Sequence, residues 1–154
     1  MPARKLPYSW GRVKAGDIIS FKYKSKSSKS SKVQSVLVLN PRLSVNLKDG
    51  TNTKHLIGIK IEESNKITLR LTGRQISLLE TIGNFKKIDD NNNLYKLEID
   101  KRFIVNDIKG IKQEAYNKIS NSLDIKGQYR TYDYMTVIKS SVYIEPIRIF
   151  ADED

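Results

Sequence analysis

The segment Val33–Leu39 (VQSVLVL) is a nearly continuous apolar run of strand length, and Asn40-Pro41 ends it. Such a run, bounded by polar turn residues, predicts the central strand of a sheet. The sequence on either side agrees. After a turn at Ala15-Gly16, Ile19, Phe21 and Tyr23 alternate with Ser20 and Lys22, the two-residue period of a half-buried strand over Asp17–Tyr23. His55–Ile61 (HLIGIKI) predicts a third strand, in which Gly58 marks a bulge or a close approach of another backbone. Ile67, Leu69 and Leu71 predict a short fourth. The links are a Ser/Lys tract at 24–32 (KSKSSKSSK) and a polar connection at 42–54 around the turn dipeptide Asp49-Gly50.

The period then changes. Thr72-Gly-Arg-Gln75 is a capping-box sequence, and Ile76, Leu79 and Ile82 follow on one helical face, with Gly83 as the stop. Lys86–Asn93 reads as a polar loop, and Leu94–Val105 carries strand-like apolar residues. Asp107 caps a second helix, in which Ile108, Ile111, Ala115 and Ile119 are spaced by 3, 4 and 4. From Tyr129 to Phe150 the composition returns to that of one or two strands. The expected fold is therefore α+β and mainly β: a small antiparallel SH3-like barrel or curled sheet with two amphipathic helices. An extended arm at 1–16 precedes a single domain at 17–150, whose Ser/Lys loop is too polar to offset its own ordering entropy and should be mobile. An acidic end, 151–154, follows.

Charge sets the expectations about partners. Residues 1–60 hold 13 basic and 2 acidic residues, and residues 61–154 hold 15 of each, so the whole formal charge of +11 sits in the first part. Asymmetry of this kind bears on association and not on fold. The chain has no cysteine, which excludes disulfides and thiolate metal sites. No run approaches the roughly 18 apolar residues of a membrane span, and the N-terminus lacks the apolar core of a signal peptide.

Lys22, Lys24, Lys26, Lys29 and Lys32 form a flexible polycation, suited to phosphates or to an acidic protein surface because lysine is a point charge without fixed geometry. Tyr8 and Trp10, the only tryptophan, dock on the protein's own core, meet another subunit or stack on bases. Tyr129, Arg130, Tyr132 and Tyr134 are half-buried strand residues or anchors of a subunit contact. Catalysis has less to build on. His55 is the only histidine, which rules out two-histidine metal motifs within this chain, and there is no G-x-S-x-G elbow or phosphate-cradling glycine loop. Carboxylates at Glu62-Glu63 and Asp89-Asp90, with Asp-x-Lys at 107–109 and 124–126, leave a magnesium-dependent nuclease as a minor alternative.

Four segments carry a resemblance: GDIISFKY (Gly16–Tyr23), VLVLNP (Val36–Pro41), KHLIGIKI (Lys54–Ile61) and YRTY (Tyr129–Tyr132). Together they resemble small basic proteins of large tailed bacteriophages, described as virion or DNA-end-associated. In this chain a Ser/Lys loop stands where those proteins have a more aromatic, proline-containing connection. The resemblance implies a non-enzymatic structural protein of the virion, without cofactor or metal, in the head–tail connector, neck or baseplate. Its partners would be other virion subunits in an oligomeric assembly, and DNA without sequence preference. A free nucleic-acid-binding protein of the host cytoplasm is the alternative.

Overall fold

The computed structural model describes residues 6–24, 30–61, 69–89, 94–106, 113–123 and 129–149. In chain order its elements are β1 (Leu6–Pro7), a 3-10 turn (Trp10–Arg12), β2 (Ile18–Tyr23), β3 (Lys32–Asn46), β4 (Asn52–Lys60), β5 (Leu69–Leu71) and α1 (Gly73–Leu79). There follow β6 (Gly83–Asp89), β7 (Leu94–Ile99), a second 3-10 turn (Lys101–Phe103), α2 (Gln113–Ser122) and β8 (Tyr129–Asp133). A third 3-10 turn (Tyr134–Thr136), β9 (Val137–Ile144) and β10 (Ile147–Ile149) complete the described order.

The apolar run at 33–39 is central because both its faces are buried. Leu37 and Leu39 point with Ile18, Ile57 and Ile59 into one cluster, whereas Val36 and Val38 point with Ile19, Phe21 and Leu56 into another. A strand covered on both sides loses polar alternation, and that is why the run reads as continuous. It belongs to a six-stranded antiparallel sheet of order β1-β9-β2-β3-β4-β8. The first cluster is closed by Leu71, by Leu79 of α1, by Leu97 and Ile99 of β7, by Ile119 of α2 with Leu123 just past its end, and by Ile147 of β10. Strands β5-β10-β7-β6 form the second sheet, in which β5 and β10 are parallel.

The second cluster lies inside the curl of the large sheet. Tyr132 of β8 meets Phe21 and Tyr23 of β2 edge-on, at ring separations of 5.3 and 5.1 Å. The Asp133 N–H donates to the Tyr23 hydroxyl at 3.2 Å, so β8 returns toward β2 through side chains and not through a ladder. The sheet is thus open, with β1 and β8 at its edges, and the barrel alternative is corrected: these strands do not close.

Several boundaries differ from expectation for local reasons. Strand β3 does not stop at Asn40-Pro41 but runs on to Asn46, with register shifts between Val38 and Asn40 and between Asn40 and Leu43. Proline has no N–H to give a ladder and is tolerated at such irregularities. Asn40 repairs the break, its Oδ1 accepting the Arg42 N–H at 3.0 Å and its Nδ2 donating to the Val105 carbonyl at 2.6 Å. The 42–54 connection is mostly strand, and its turn contracts to Leu47–Thr51 with Gly50 at a φ of +85°. Lys86–Asp89, read as loop, belongs to edge strand β6, where lysines face water without penalty. Gly83 does not end the helix. It opens β6, where a side chain would meet the backbone of Glu98 and Ile99. Of the apolar segment Leu94–Val105, the part up to Ile99 is strand β7, and the tail gives three strands.

The capping box is present in full: Gln75 Oε1 accepts from the Thr72 N–H at 2.8 Å and the Gln75 N–H donates to Thr72 Oγ1 at 3.4 Å. Thr72→Ala is expected to lower stability by about 1 kcal/mol, read as a shift of the urea midpoint with an unchanged slope. Over its described part, the N-terminal segment packs on the sheet. Leu6 and Pro7 pair with Ile144 and Tyr143, and Trp10, Val13 and Ala15 are buried.

Candidate functional site

The face of the large sheet that carries Ile18 and Leu37 is covered only at one end. Toward the β2–β3 hairpin the same face presents Ser20 and Lys22 of β2, opposite Ser35 and Val33 of β3 and Tyr143 and Ile138 of β9. The second sheet does not reach these residues: Val33 is 49% exposed and Ile138 and Tyr143 are each 38% exposed. Ser20, Lys22, Val33, Ile138 and Tyr143 line a cleft of about 440 Å³ together with Phe21, Ser31, Ser140 and Ser141. A register shift between Ser20 and Lys22 opens it. Ser141 fixes the shifted backbone, its Oγ accepting the Lys22 N–H at 2.7 Å and donating to the Ile138 carbonyl at 2.5 Å. None of the described lining residues is acidic. Glu145 is buried next to this region, with Oε1 3.5 Å from Ser35 Oγ.

Lys22, Lys24 and Lys32 are exposed at this end of the sheet, and Lys32 stands opposite Tyr23 in the ladder. Lys26 and Lys29 lie outside the described residues, as do Glu62, Glu63, Asp90 and the Asp-x-Lys carboxylates Asp107 and Asp124. On β9, Lys139 places its ammonium 4.6 Å from the Tyr134 ring centroid, adding a cation next to the hairpin. The arrangement offers dispersed positive charge beside a concave, hydroxyl-lined wall.

The aromatic residues separate into two groups. Trp10 and Tyr132 are 7% and 6% exposed and belong to the second cluster. Trp10 lies 5.1 Å from Tyr134 and 6.5 Å from Phe21 between ring centroids. Tyr8, Tyr129 and Tyr134 are half-buried and Arg130 is exposed on edge strand β8. His55 sits in β4 opposite Leu43 and Asp133, with Nδ1 3.4 Å from Thr53 Oγ1. No group of three or more potential metal ligands occurs among the described residues.

Two polar residues were not singled out by sequence. Arg42 donates from Nη1 to the Val13 carbonyl at 3.0 Å and from Nη2 to the Trp10 carbonyl at 2.9 Å, pinning the N-terminal 3-10 turn to β3. One basic residue of the N-terminal excess therefore serves the fold. Asp17 is 1% exposed and accepts the Lys14 N–H at 2.9 Å. Burial pushes its carboxyl up to about 6, against the opposing effects of the Lys14 N–H, of Lys96 and of the Tyr8 hydroxyl. Because Asp17 is buried, Asp49 is the only exposed acid in the first sixty residues.

Comparison with protein-family models, curated proteins and solved structures finds no match to this chain.

Proposed function

We propose that this chain is a non-enzymatic structural protein of a tailed-phage virion, in the head–tail connector, neck or baseplate region, whose basic N-terminal part meets DNA or acidic subunits. One observation carries the reading: exposed Lys22, Lys24 and Lys32 gather at the uncovered end of the large sheet, beside a cleft with no acidic residue among its described lining. The strand patterns at Gly16–Tyr23, Val36–Pro41, Lys54–Ile61 and Tyr129–Tyr132, with their likeness to small phage proteins, support the virion as the setting. In that setting the half-buried tyrosines and Arg130 on the β8 edge serve subunit contacts. We also infer that strands β2, β3, β4, β8 and β9 form an SH3-like curled sheet. Its order β9-β2-β3-β4-β8 and the 3-10 turn before its last strand support this. Strands β5, β6 and β7 and both helices are then an insertion between β4 and β8, and β10 joins their sheet from the C-terminal side.

The test is binding of purified protein to labelled duplex DNA at roughly 50 to 300 mM salt. Binding should fall steeply with salt. Replacing Lys24, Lys26, Lys29 and Lys32 with alanine should flatten the log–log slope by about 0.9 for each phosphate that is no longer neutralised. The melting temperature should not change, since lysines as exposed as Lys24 and Lys32 add little to stability. An equal loss of stability in the variant would overturn the assignment. No binding even at low salt would redirect the basic face to an acidic protein surface. Presence at fixed copy number in purified virions separates the structural role from that of a free nucleic-acid-binding protein.

A further inference from the structure

The cleft at the end of β2 is built for more than loose charge. Ser20 is 2% exposed and lines it, together with Ser31, Ser140 and Ser141. The four hydroxyls can bond the polar edges of a ligand. Beside them the Lys22 ammonium is the one cation among the described lining residues. The apolar surfaces of Val33 and Ile138 and the exposed ring of Tyr143 form the rest of the wall.

We propose that this cleft receives one unpaired nucleotide of a nucleic-acid strand, with its phosphate at Lys22 and its base against Tyr143. The inference rests on the reading that this face meets nucleic acid, and it names the form of that nucleic acid. The volume of about 440 Å³ lies in the range of small-ligand sites, roughly 300–1,000 Å³, and suits a single nucleotide. A duplex keeps its bases stacked inside and cannot place one in such a cleft, so it would touch only the lysines at the rim. An acidic peptide would satisfy Lys22 but leave Val33, Ile138 and Tyr143 against water. A nucleotide matches each part of the wall: phosphate to cation, sugar and base edges to hydroxyls, base face to tyrosine. Lys24 and Lys32 stand next in line for the neighbouring phosphates of the same strand.

The test is fluorescence anisotropy with labelled oligothymidine and with a duplex of equal length, using wild type, Tyr143→Ala, Tyr143→Phe and Ser20→Ala. Tyr143→Ala should weaken oligothymidine binding about tenfold, the loss of one stacked base. Ser20→Ala should weaken it about threefold, the loss of one neutral hydrogen bond. Tyr143→Phe should retain it, which separates loss of the ring's stacking surface from a damaged fold. Duplex binding should be the same in all four proteins. Oligothymidine affinity unchanged by Tyr143→Ala overturns the proposal, as does an equal loss for duplex and single strand. Displacement of oligothymidine by polyglutamate at matched charge would also overturn it. If duplex binding keeps its salt and lysine dependence in any of these cases, only the cleft assignment falls. If neither nucleic acid binds wild type at low salt, the nucleic-acid reading falls with it.

Discussion

Replacing Gly58 with valine is expected to remove a large part of the chain's stability at room temperature. Gly58 lies in β4 opposite Val38 of β3 and Arg130 of β8. A Cβ there would overlap the Val36 side chain and lie 2.5 Å from the Leu37 carbonyl oxygen. The carbonyl cannot turn aside, because it belongs to the strand that both cores are built on. Nor can β4 retreat, since Ile57 and Ile59 are fully buried in the opposite cluster. We expect a loss of about 4 kcal/mol or more, the range reserved for severe steric conflict in a core. That is a large part of the roughly 5–15 kcal/mol available to a domain. Gly50 provides the contrast: its φ is +85° but no atom lies within 4 Å of its would-be side chain. Gly50→Ala should cost only about 1 kcal/mol, the penalty of a left-handed conformation. Urea unfolding followed by circular dichroism compares the two. A Gly58→Val midpoint equal to that of Gly50→Ala would show that the strands have room there.

The importance of Gly58 could be read from its place in an apolar strand, and so could the central strand, the first strand and the capping box. In each case a local rule decides the outcome: burial sets the alternation, and Thr72 and Gln75 satisfy each other's backbone within one turn. Edge strand β6 was hidden because its lysines face water, where a strand and a loop have the same composition. The continuation of β3 through Pro41 was hidden for a different reason. It depends on Asn40 reaching Val105, a residue 65 positions away, and no local pattern encodes that bond.

The candidate site divides in the same way. The basic excess is a matter of counting and was plain from the sequence. The cleft was not, because it exists where the second sheet stops short of Ser20, Lys22, Val33, Ile138 and Tyr143. Those five residues come from three strands, and nothing in any one strand marks them. For Trp10 and Tyr132 the sequence left core and contact readings open, since large aromatic residues serve surfaces and cores equally well. The curl of the sheet decides for the core.

Asp17 gives the second large effect, and its sign is opposite to that of most carboxylates. Its carboxyl is 1% exposed, and its pKa is pushed up to about 6 by burial, above the ordinary value of 3.8 that applies once the chain unfolds. Between those values the folded state holds a proton that the unfolded state has lost. The stability contributed by this group is therefore complete below pH 3.8, declines as pH rises through about 6 and is absent above it. A separation of about two pKa units corresponds to about 3 kcal/mol. The groups facing the carboxylate are the Lys14 N–H, the Lys96 ammonium and the Tyr8 hydroxyl. Lys96 Nζ itself donates to that hydroxyl at 3.2 Å, so the cluster ties the N-terminal segment to β7. Asp17→Asn keeps an oxygen for the Lys14 N–H and removes the ionisation. Its stability relative to wild type should rise by about 3 kcal/mol between pH 4 and pH 6.5, as the wild-type carboxylate takes up its charge. Exposed Asp49 and Asp100 titrate identically in both proteins and cancel in the difference. Urea midpoints of the two proteins across that range make the measurement. A flat difference would mean that Lys96 and Tyr8 hold the buried charge as well as water does.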